Sequence, residues 1–260
     1  MKLDRRAWLT RAFAGALGGA GSLALSACDS VTRSPAVRSG LSLGQRMTES
    51  VQRLFMSRRS LAREYLSSDI APSFKANGSR NPQDPEYVAH VANGFRNWKL
   101  TIGGLVDHPY ELSLDEIRAA SARTQITRHD CVEGWSAIGK WTGARLGPLL
   151  ERAGLQPNAR YIVFYCADNG DDVPTWAKYY ESIDLVDAFH EQTILAYELN
   201  DEPLPVAHGA PIRLRVERQL GYKHAKYVMR IEAVESFAHI GQGKGGFWED
   251  VGGYEWYAGI

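Results

Sequence analysis

The most informative stretch of this sequence runs from residue 129 to 136 and reads His129-Asp130-Cys131-Val132-Glu133-Gly134-Trp135-Ser136. It contains one of only three cysteines, and none of the three has a neighbour at the close spacing of a zinc ribbon or an iron–sulfur cluster. Sulfur binds a soft metal as the thiolate, and the adjacent Arg128 and His129 favour that ionised form. Cys131 is therefore a candidate metal ligand.

Two other interpretations of Cys131 remain open from the residues alone. In an oxidising compartment it could form a disulfide with Cys166. It could also act as a nucleophile beside His208 in a hydrolase, although the sequence has no recognisable nucleophile motif. The three interpretations differ in what the sulfur bonds to.

Residues 1–28 have the composition of an export signal. Three basic residues between positions 2 and 6 are followed by an apolar stretch that is too short and too rich in glycine for a membrane span of ~20 residues. Residues 4–9 resemble a twin-arginine signal, and residues 25–28 resemble a bacterial lipobox. We therefore expect export of the folded protein to the periplasm or cell envelope, where a lipidated Cys28 would tether it to the membrane.

The rest of the chain predicts one globular domain with an N-terminal appendage. Residues 29–70 begin as a flexible tether and continue, between Met47 and Leu66, with apolar residues at helical spacing, which predicts an N-terminal helix. The chain is 44% hydrophobic and 23% charged, as is usual for a soluble protein, and we expect residues 71–260 to form the folded domain.

The charge balance argues against a nucleic-acid partner. Thirty basic residues balance thirty acidic ones, and removal of residues 1–27 leaves 26 basic against 29 acidic residues. Such a surface has no strong positive field to hold a phosphate backbone. We therefore expect no nucleic acid among the partners.

Local signals predict an α+β fold with mixed sheets and short helices. Runs of β-branched and aromatic residues predict strands at residues 98–102, 161–166, 194–199, 212–216 and 227–235. Capping residues and apolar spacing predict helices after Ser113, at residues 145–153 before Gly154, and at residues 185–190. Residues 71–86 are predicted to form a loop, because they are rich in Pro, Asn and Gly.

The segment around Cys131 resembles the metal-cysteine segment of the sulfite-oxidase superfamily, and most of all its bacterial branch that includes the periplasmic methionine-sulfoxide reductases. The likeness continues through Trp141-Thr142-Gly143 and Leu149-Leu150. Residues 194–198, 203–214 and 221–226 are similar to the family's pterin-binding run, and the aromatic residues of 247–257 are similar to the ends of bacterial members. The likeness covers residues 74–260 in matching order.

The resemblance implies a molybdopterin-binding domain of the sulfite-oxidase type. In that family a molybdenum atom, held by one cysteine and by a pyranopterin, transfers an oxygen atom to or from a small-molecule substrate, in sulfite oxidation or sulfoxide reduction. Electrons pass one at a time. Because the sequence has no C-x-x-C-H haem motif, we expect an external redox partner, either a membrane haem protein or a soluble cytochrome.

The resemblance also implies roles for individual residues. The catalytic candidates are Cys131 as the metal ligand, His129 and Arg128 as groups that steer the substrate, and Tyr222 at the substrate mouth. The cofactor-binding candidates are Asn77, Cys131, Cys166, His208, Arg213, Lys223, His224 and Lys226. The fork of donors on Arg213 suits phosphate oxygens, and the two lysines would act as point charges.

Several of these residues could instead have an ordinary structural role. Arg213 could face solvent on a strand, Cys166 could simply pack in the core, and aromatic residues such as Trp135, Trp141 and Tyr222 are often core residues. For the whole chain, the alternative is a lipid-tethered binding protein with the same fold and no metal. We expect a monomer, since the chain ends without the family's dimerisation extension.

Overall fold

A computed structural model describes residues 59–169 and 177–260. The predicted export signal and lipobox, the tether, and the part of the predicted N-terminal helix before residue 59 lie outside the described residues. Within the two described ranges, no helix is long and apolar enough to cross a membrane.

Two five-stranded sheets form the framework, as the α+β prediction requires. The first contains, in spatial order, β2 (Tyr110–Ser113), β1 (Lys99–Gly104), β10 (Val228–Val234), β5 (Tyr161–Asn169) and β6 (Lys178–Asp184). The second contains β3 (Ala122–Asp130), β4 (Ser136–Arg145), β7 (Ile194–Leu199) and β8 (Glu202–Pro203), with β9 (Arg213–Arg215) paired to β7. Only the β1–β10 pair is parallel among the described strands, so the first sheet is mixed.

Short helices connect the strands. They are α1 (Pro85–Ala92), α2 (Leu114–Ala119), α3 (Leu146–Ala153), α4 (Leu185–Ala188) and α5 (Phe247–Val251). The predicted capping box at the start of α2 is confirmed, because Ser113 and Glu116 satisfy each other's backbone N–H groups. The predicted end of α3 is also confirmed, since Gly154 adopts the left-handed conformation with φ of 70°.

The main hydrophobic core joins the two sheets. Its buried side chains include Leu100, Phe164 and Ile231 from the first sheet and Ala144, Leu195 and Leu214 from the second. Burying a large apolar side chain contributes about 1.5–3 kcal/mol. This core therefore holds β4, β9 and β10 in fixed positions, and most of the candidate site residues lie on β3 or β9 or in the segments that directly follow these two strands.

The hairpin of β3 and β4, which carries Cys131 at its turn, was not among the predicted strands. Its register runs from Ala122 opposite Ala144 to Asp130 opposite Ser136. β3 is the edge strand of its sheet.

The predicted helix between Met47 and Leu66 is wrong for its described part. Residues 59–66 contain no helix, Glu64 pairs with Thr127, and the Tyr65 N–H donates to the Ile126 carbonyl at 2.9 Å. The free N–H and C=O groups of the edge strand β3 offer main-chain partners that the helical spacing of apolar residues cannot reveal. These residues thus pack on the domain that was predicted to begin at residue 71.

Candidate cofactor site

A cavity of about 140 Å³ lies where the β3–β4 turn, the loop at residues 77–79, the segment 221–226 and the C-terminal region meet. Five of the predicted site residues line it: Asn77, Cys131, Tyr222, His224 and Lys226. They belong to three segments that are distant in sequence, and the fold brings these segments together. The predicted loop at residues 71–86 is therefore partly a wall of this cavity.

Cys131 is the first residue of the tight turn between β3 and β4. Its N–H donates to the Trp135 carbonyl at 2.9 Å, and its carbonyl accepts from the Gly134 N–H at 3.0 Å. Gly134 has a φ of 85°, a conformation that favours glycine. Cys131 and Cys166 are both free thiols, so the structure contradicts the disulfide interpretation.

The expected cationic neighbours of Cys131 are absent from its surroundings in the described structure. Because side chains alternate along a strand, Arg128 faces outward, and its Nε lies 2.9 Å from the Asp130 carboxylate. His129 is buried, and burial followed by the charge of Arg215 lowers its pKa well below the usual value. Burial also raises the pKa of Cys131. The predicted activation by Arg128 and His129 is therefore wrong, and ionisation of this thiol would accompany metal binding.

Arg213 is fully buried on β9, which rules out the solvent-facing alternative. Its Nη1 and Nη2 donate to the carbonyls of His208 at 3.2 Å and His224 at 3.3 Å, and its Nε has no hydrogen-bond partner in the described structure. No described carboxylate lies within ion-pair distance. Burial lowers the pKa of Arg213 to about 9, which leaves it charged at neutral pH. An unmatched buried charge costs several kcal/mol, so this position is suited to an anionic ligand.

Arg215 is a second buried arginine that the sequence analysis missed. It forms an ion pair with Glu217 through Nε at 2.8 Å and Nη2 at 2.6 Å, and its Nη1 lies 2.9 Å from His129 Nδ1. Both arginines stack on the Trp141 ring, with guanidinium carbons 5.2 and 4.4 Å from its centre. The alternation of Arg213, Arg215 and Glu217 along an extended segment could have indicated a shared face.

Lys226 connects the loop of Asn77 to the predicted pterin-binding run. Its Nζ donates to the carbonyls of Asn77 at 2.6 Å, Ser79, and Ala207 at 3.3 Å. The ammonium lies in the cavity wall, as a point charge near an anion would. In addition, it ties together the main-chain segments that form the wall.

Lys223 differs from the expectation of a phosphate-binding point charge. It is fully buried, does not line the cavity, and forms ion pairs with Glu249 at 2.7 Å and with Glu181. Burial raises the pKa of Glu181 well above its usual value, against the lowering effect of Lys223. We call Glu181, Lys223 and Glu249 the tail cluster, because it joins α5 to β6. The charge of Lys223 is matched inside the fold.

The two histidines that were predicted to bind the cofactor each have a ring nitrogen without a hydrogen-bond partner in the described structure. His224 lines the cavity, and its Nε2 lies 3.0 Å from the Gln219 carbonyl, so the proton is on Nε2 and Nδ1 is an acceptor. His208 lies in a 3-10 turn (Val206–His208). Burial lowers the pKa of His208 to about 4, and Arg213 and Lys226 contribute.

Cys166 is not part of the cavity wall. It lies on β5 opposite Val228 and belongs to the main core, and burial raises its pKa well above the usual value. The geometry favours the packing role for this residue.

An aromatic wall closes one side of the cavity, and two of its three rings were not predicted. It consists of Tyr222, Trp248 and Tyr254, with ring centres 5.0 Å apart for the two tyrosines and 5.7 Å for Trp248 and Tyr254. The Tyr222 hydroxyl donates to the Glu255 carbonyl at 2.6 Å, which fixes its ring. By contrast, Trp141 is fully buried and does not line the cavity.

Five buried polar atoms near the cavity lack a hydrogen-bond partner in the described structure. They are His129 Nε2, Trp141 Nε1, His208 Nδ1, Arg213 Nε and His224 Nδ1, and we call their residues the unpaired cluster. Ring contacts at 5.1–5.8 Å connect its histidines and Trp141 directly or through Phe74. Folded proteins pair most buried polar atoms. A ligand with donors, acceptors and an anionic group, as in a pterin that carries a phosphate, fits these residues.

Comparison with known proteins identifies the group that this site fits. The family described as "Oxidoreductase molybdopterin binding domain" matches residues 88–239. A putative protein-methionine-sulfoxide reductase subunit of Azospira oryzae is 36% identical over 98% of this chain and 87% of its own length.

Two further matches are more partial. The protein-methionine-sulfoxide reductase catalytic subunit MsrP of Xanthomonas campestris pv. campestris is 36% identical over 58% of this chain, which spans about half (49%) of that relative. The crystal structure of the sulfane dehydrogenase SoxCD from Paracoccus pantotrophus matches at 21% identity with a TM-score of 0.49, over 54% of this chain and 39% of that one.

The family match covers more than half of the chain, and the Azospira relative matches nearly all of it. These matches confirm the resemblance to the sulfite-oxidase superfamily and the predicted α+β fold. The chain therefore belongs to the family of oxidoreductases with a molybdopterin-binding domain, and its cofactor is molybdenum–molybdopterin.

Proposed function

We propose that this protein is a sulfoxide reductase, which takes the oxygen atom from a small or side-chain sulfoxide. The observation that carries the proposal is the free Cys131 thiol in the wall of a cavity bordered by the unpaired cluster. The names of the relatives support this substrate class. Because this chain spans about half of MsrP, the activity of that whole protein reaches this chain only as a proposal.

The charges around the cavity favour a neutral substrate over sulfite. Its described wall includes the carboxylates of Asp168 and of Glu133, which pairs with Lys75 at 3.3 Å, and one ammonium, Lys226, which donates to main-chain carbonyls. Arg128, a candidate for steering an oxyanion, forms an ion pair with Asp130 on the outer face of β3. Three aromatic rings provide a surface for an apolar substituent on sulfur, since sulfur packs favourably on aromatic rings. A sulfite anion would find little attraction there.

The chain's own residues would bind and orient the cofactor and the substrate. Cys131 would ligate molybdenum, Arg213 would bind the anionic part of the pterin, and Lys226 would keep the loop of Asn77 closed over it. The bound group supplies the redox and oxygen-atom chemistry. Tyr222 and its neighbours in the aromatic wall would exclude water and orient the substrate. Reduction of a sulfoxide consumes two electrons and two protons and releases the thioether and water.

We also propose an exported, membrane-tethered enzyme that obtains its electrons from another protein. Residues 1–28 support twin-arginine export and lipidation at Cys28. A membrane haem protein or a soluble cytochrome would be the electron donor, and the Azospira relative is itself named as a subunit. Replacement of Cys28 by Ala should release the protein from the membrane fraction without loss of activity toward a soluble dye donor.

Substitution of Cys131 tests the assignment of the metal ligand. Protein purified from a molybdate-replete host should contain about one molybdenum per chain and reduce sulfoxides with a reduced dye. Cys131→Ser should keep the melting temperature of the apoprotein and lose turnover at least ~100-fold, since even outer-shell substitutions at metal sites cost 10–100-fold. Cys166→Ala is the matched control, because it removes the other described cysteine, and it should retain the metal.

Two results would contradict the proposal. Full activity in Cys131→Ser would refute the ligand assignment, and wild-type protein without molybdenum would favour a metal-free binding protein. A substrate panel of sulfite, sulfoxides and N-oxides would decide the substrate class. Faster turnover with sulfite than with any sulfoxide would refute the argument from the cavity charges.

A further inference from the structure

His129 presents a buried N–H group whose position is fixed by a neighbouring ion pair. The Nη1 of Arg215 lies 2.9 Å from His129 Nδ1. A guanidinium only donates, so Nδ1 must be the acceptor and the neutral ring carries its proton on Nε2. His129 is 1% exposed, and its Nε2 has no partner in the described structure. The Nε2–H group is therefore a donor with a known direction and without an acceptor among the described residues.

The Nε2 atom of His129 lies beside Gly221, which lines the cavity. A Cβ atom at Gly221 would stand 2.5 Å from this nitrogen, so only glycine leaves room for the ring. The His224 ring, which also lines the cavity, lies 5.1 Å away at nearly a right angle. The free donor is therefore placed at the edge of the cofactor site.

Arg215 is itself held in place by Glu217. The carboxylate accepts from Nε at 2.8 Å and from Nη2 at 2.6 Å, and its Oε1 also accepts from Gln125 Nε2 at 2.9 Å. All of these side chains are buried. The Arg215–Glu217 pair has no net charge, so it cannot serve as the anion-binding cation that Arg213 can be. The contribution of the pair to the site is to fix the position of the His129 ring.

We propose that Arg215 and Glu217 are positioning residues that hold His129 as an Nε2–H donor to an acceptor atom of the bound molybdopterin. The inference rests on the proposed cofactor site and adds two residues to it. Removal of the pair should loosen the cofactor only through its effect on His129. That dependence makes the inference testable by a mutant cycle.

The cycle compares three variants of the cofactor-loaded protein. The first is Arg215→Met with Glu217→Met, which removes both charges together and leaves no buried ion unpaired. The second is His129→Phe, which keeps a ring and removes the donor, and the third combines all three changes. The measured quantity is the rate of pterin release, followed by the fluorescence of the released pterin.

The first two variants should each release the pterin about tenfold faster, as for the loss of one buried hydrogen bond. The combined variant should be no faster than His129→Phe. As a control, the more exposed pair of Lys140 on β4 and Asp201 in the β7–β8 turn can also be replaced by methionines, and the release rate should stay unchanged. Release rates that multiply in the combined variant would show that the pair acts independently of His129 and would overturn the inference.

Nitrogen NMR of histidine-labelled protein gives a readout that a merely structural role would not change. Wild-type His129 should show the Nε2–H tautomer, and the methionine pair should lose that preference. If the methionine pair does not fold, Glu217→Gln should shift both readouts in the same direction by a smaller amount. An unchanged tautomer would overturn the inference. A wild-type protein without pterin would instead refute the proposed function.

Discussion

Arg213 and Lys223 are both fully buried cations in the same stretch of chain, yet their surroundings are opposite. Lys223 has two carboxylates in contact, Glu181 and Glu249, whereas the hydrogen-bond acceptors of Arg213 among the described residues are main-chain carbonyls. Burial costs each ion several kcal/mol, and only the tail cluster offsets that cost within the protein. A buried cation that the fold matches with carboxylates requires no ligand, and one left unmatched indicates a ligand. The sequence alone, which predicted one role for both, could not distinguish them.

The largest effect should come from Lys223→Met. This change leaves Glu181 and Glu249 without their cation, at a cost of about 3–5 kcal/mol of stability. A melting curve of the apoprotein should show a drop of about 10 °C. Pterin retention per folded molecule should change little. If the pterin were lost while the melting temperature stayed the same, Lys223 would belong to the cofactor site and the comparison would fail.

Arg213→Met should weaken pterin retention and leave the stability of the apoprotein nearly unchanged, which is the reverse of the effect of Lys223→Met. Loss of charge-assisted bonds to the cofactor should weaken pterin retention about 10–100-fold. The apoprotein should keep its stability within about 1 kcal/mol, because an unmatched buried charge disappears together with two hydrogen bonds. Pterin content and urea unfolding of the same preparations measure both quantities. A large loss of apoprotein stability would show that Arg213 is a structural residue like Lys223.

A smaller effect should appear in the pH dependence of apoprotein stability. Burial, Arg213 and Lys226 lower the pKa of His208 to about 4, from an ordinary value of 6.5. The unfolded chain thus binds a proton near pH 6.5 that the folded state resists, so stability is complete above 6.5 and falls as the pH drops toward about 4. His208→Gln should make the fall shallower between these limits, as measured by urea midpoints. Equal slopes in both proteins would contradict the lowered pKa of His208.

The sequence correctly predicted the structural elements that depend on residues close to one another in the chain. The capping box of Ser113 and Glu116 and the helix end at Gly154 depend on backbone groups within a few residues. Continuous apolar runs such as Tyr161–Cys166 and Ile194–Leu199 mark strands buried in the core. In each case the sequence and the packing favour the same structure.

The β3–β4 hairpin could not be predicted in this way, because the buried face of β3 is polar and that of β4 includes two glycines. The inward residues of β3 are Gln125, Thr127 and His129, which contact the polar network of the site. On β4, Gly143 takes one of the inward positions, where a Cβ would stand 2.3 Å from the Leu195 carbonyl. Polar residues and glycine at these inward positions replace the alternation of apolar and polar residues by which a strand is recognised in a sequence. A family resemblance found this segment where periodicity did not.

Among the site residues, five at the cavity wall were found by resemblance, whereas two further wall residues and the pair that supports the site were not. The aromatic residues Trp248 and Tyr254, and the pair Arg215 and Glu217, act through contacts between distant segments. Conversely, Lys223 was assigned to the cofactor on charge alone, because its carboxylate partners are far away in sequence. Whether a buried cation has a carboxylate partner depends on the tertiary structure.

The missing counter-charge of Arg213 has a consequence for the abundance of the protein in the cell. A ligand that binds only the folded state stabilises it by mass action, so a loaded chain unfolds less often than an empty one. Empty chains would reach cellular proteases more often and be degraded. The steady-state level of this protein should therefore follow the supply of its cofactor, and starvation for molybdate should deplete the polypeptide as well as its activity.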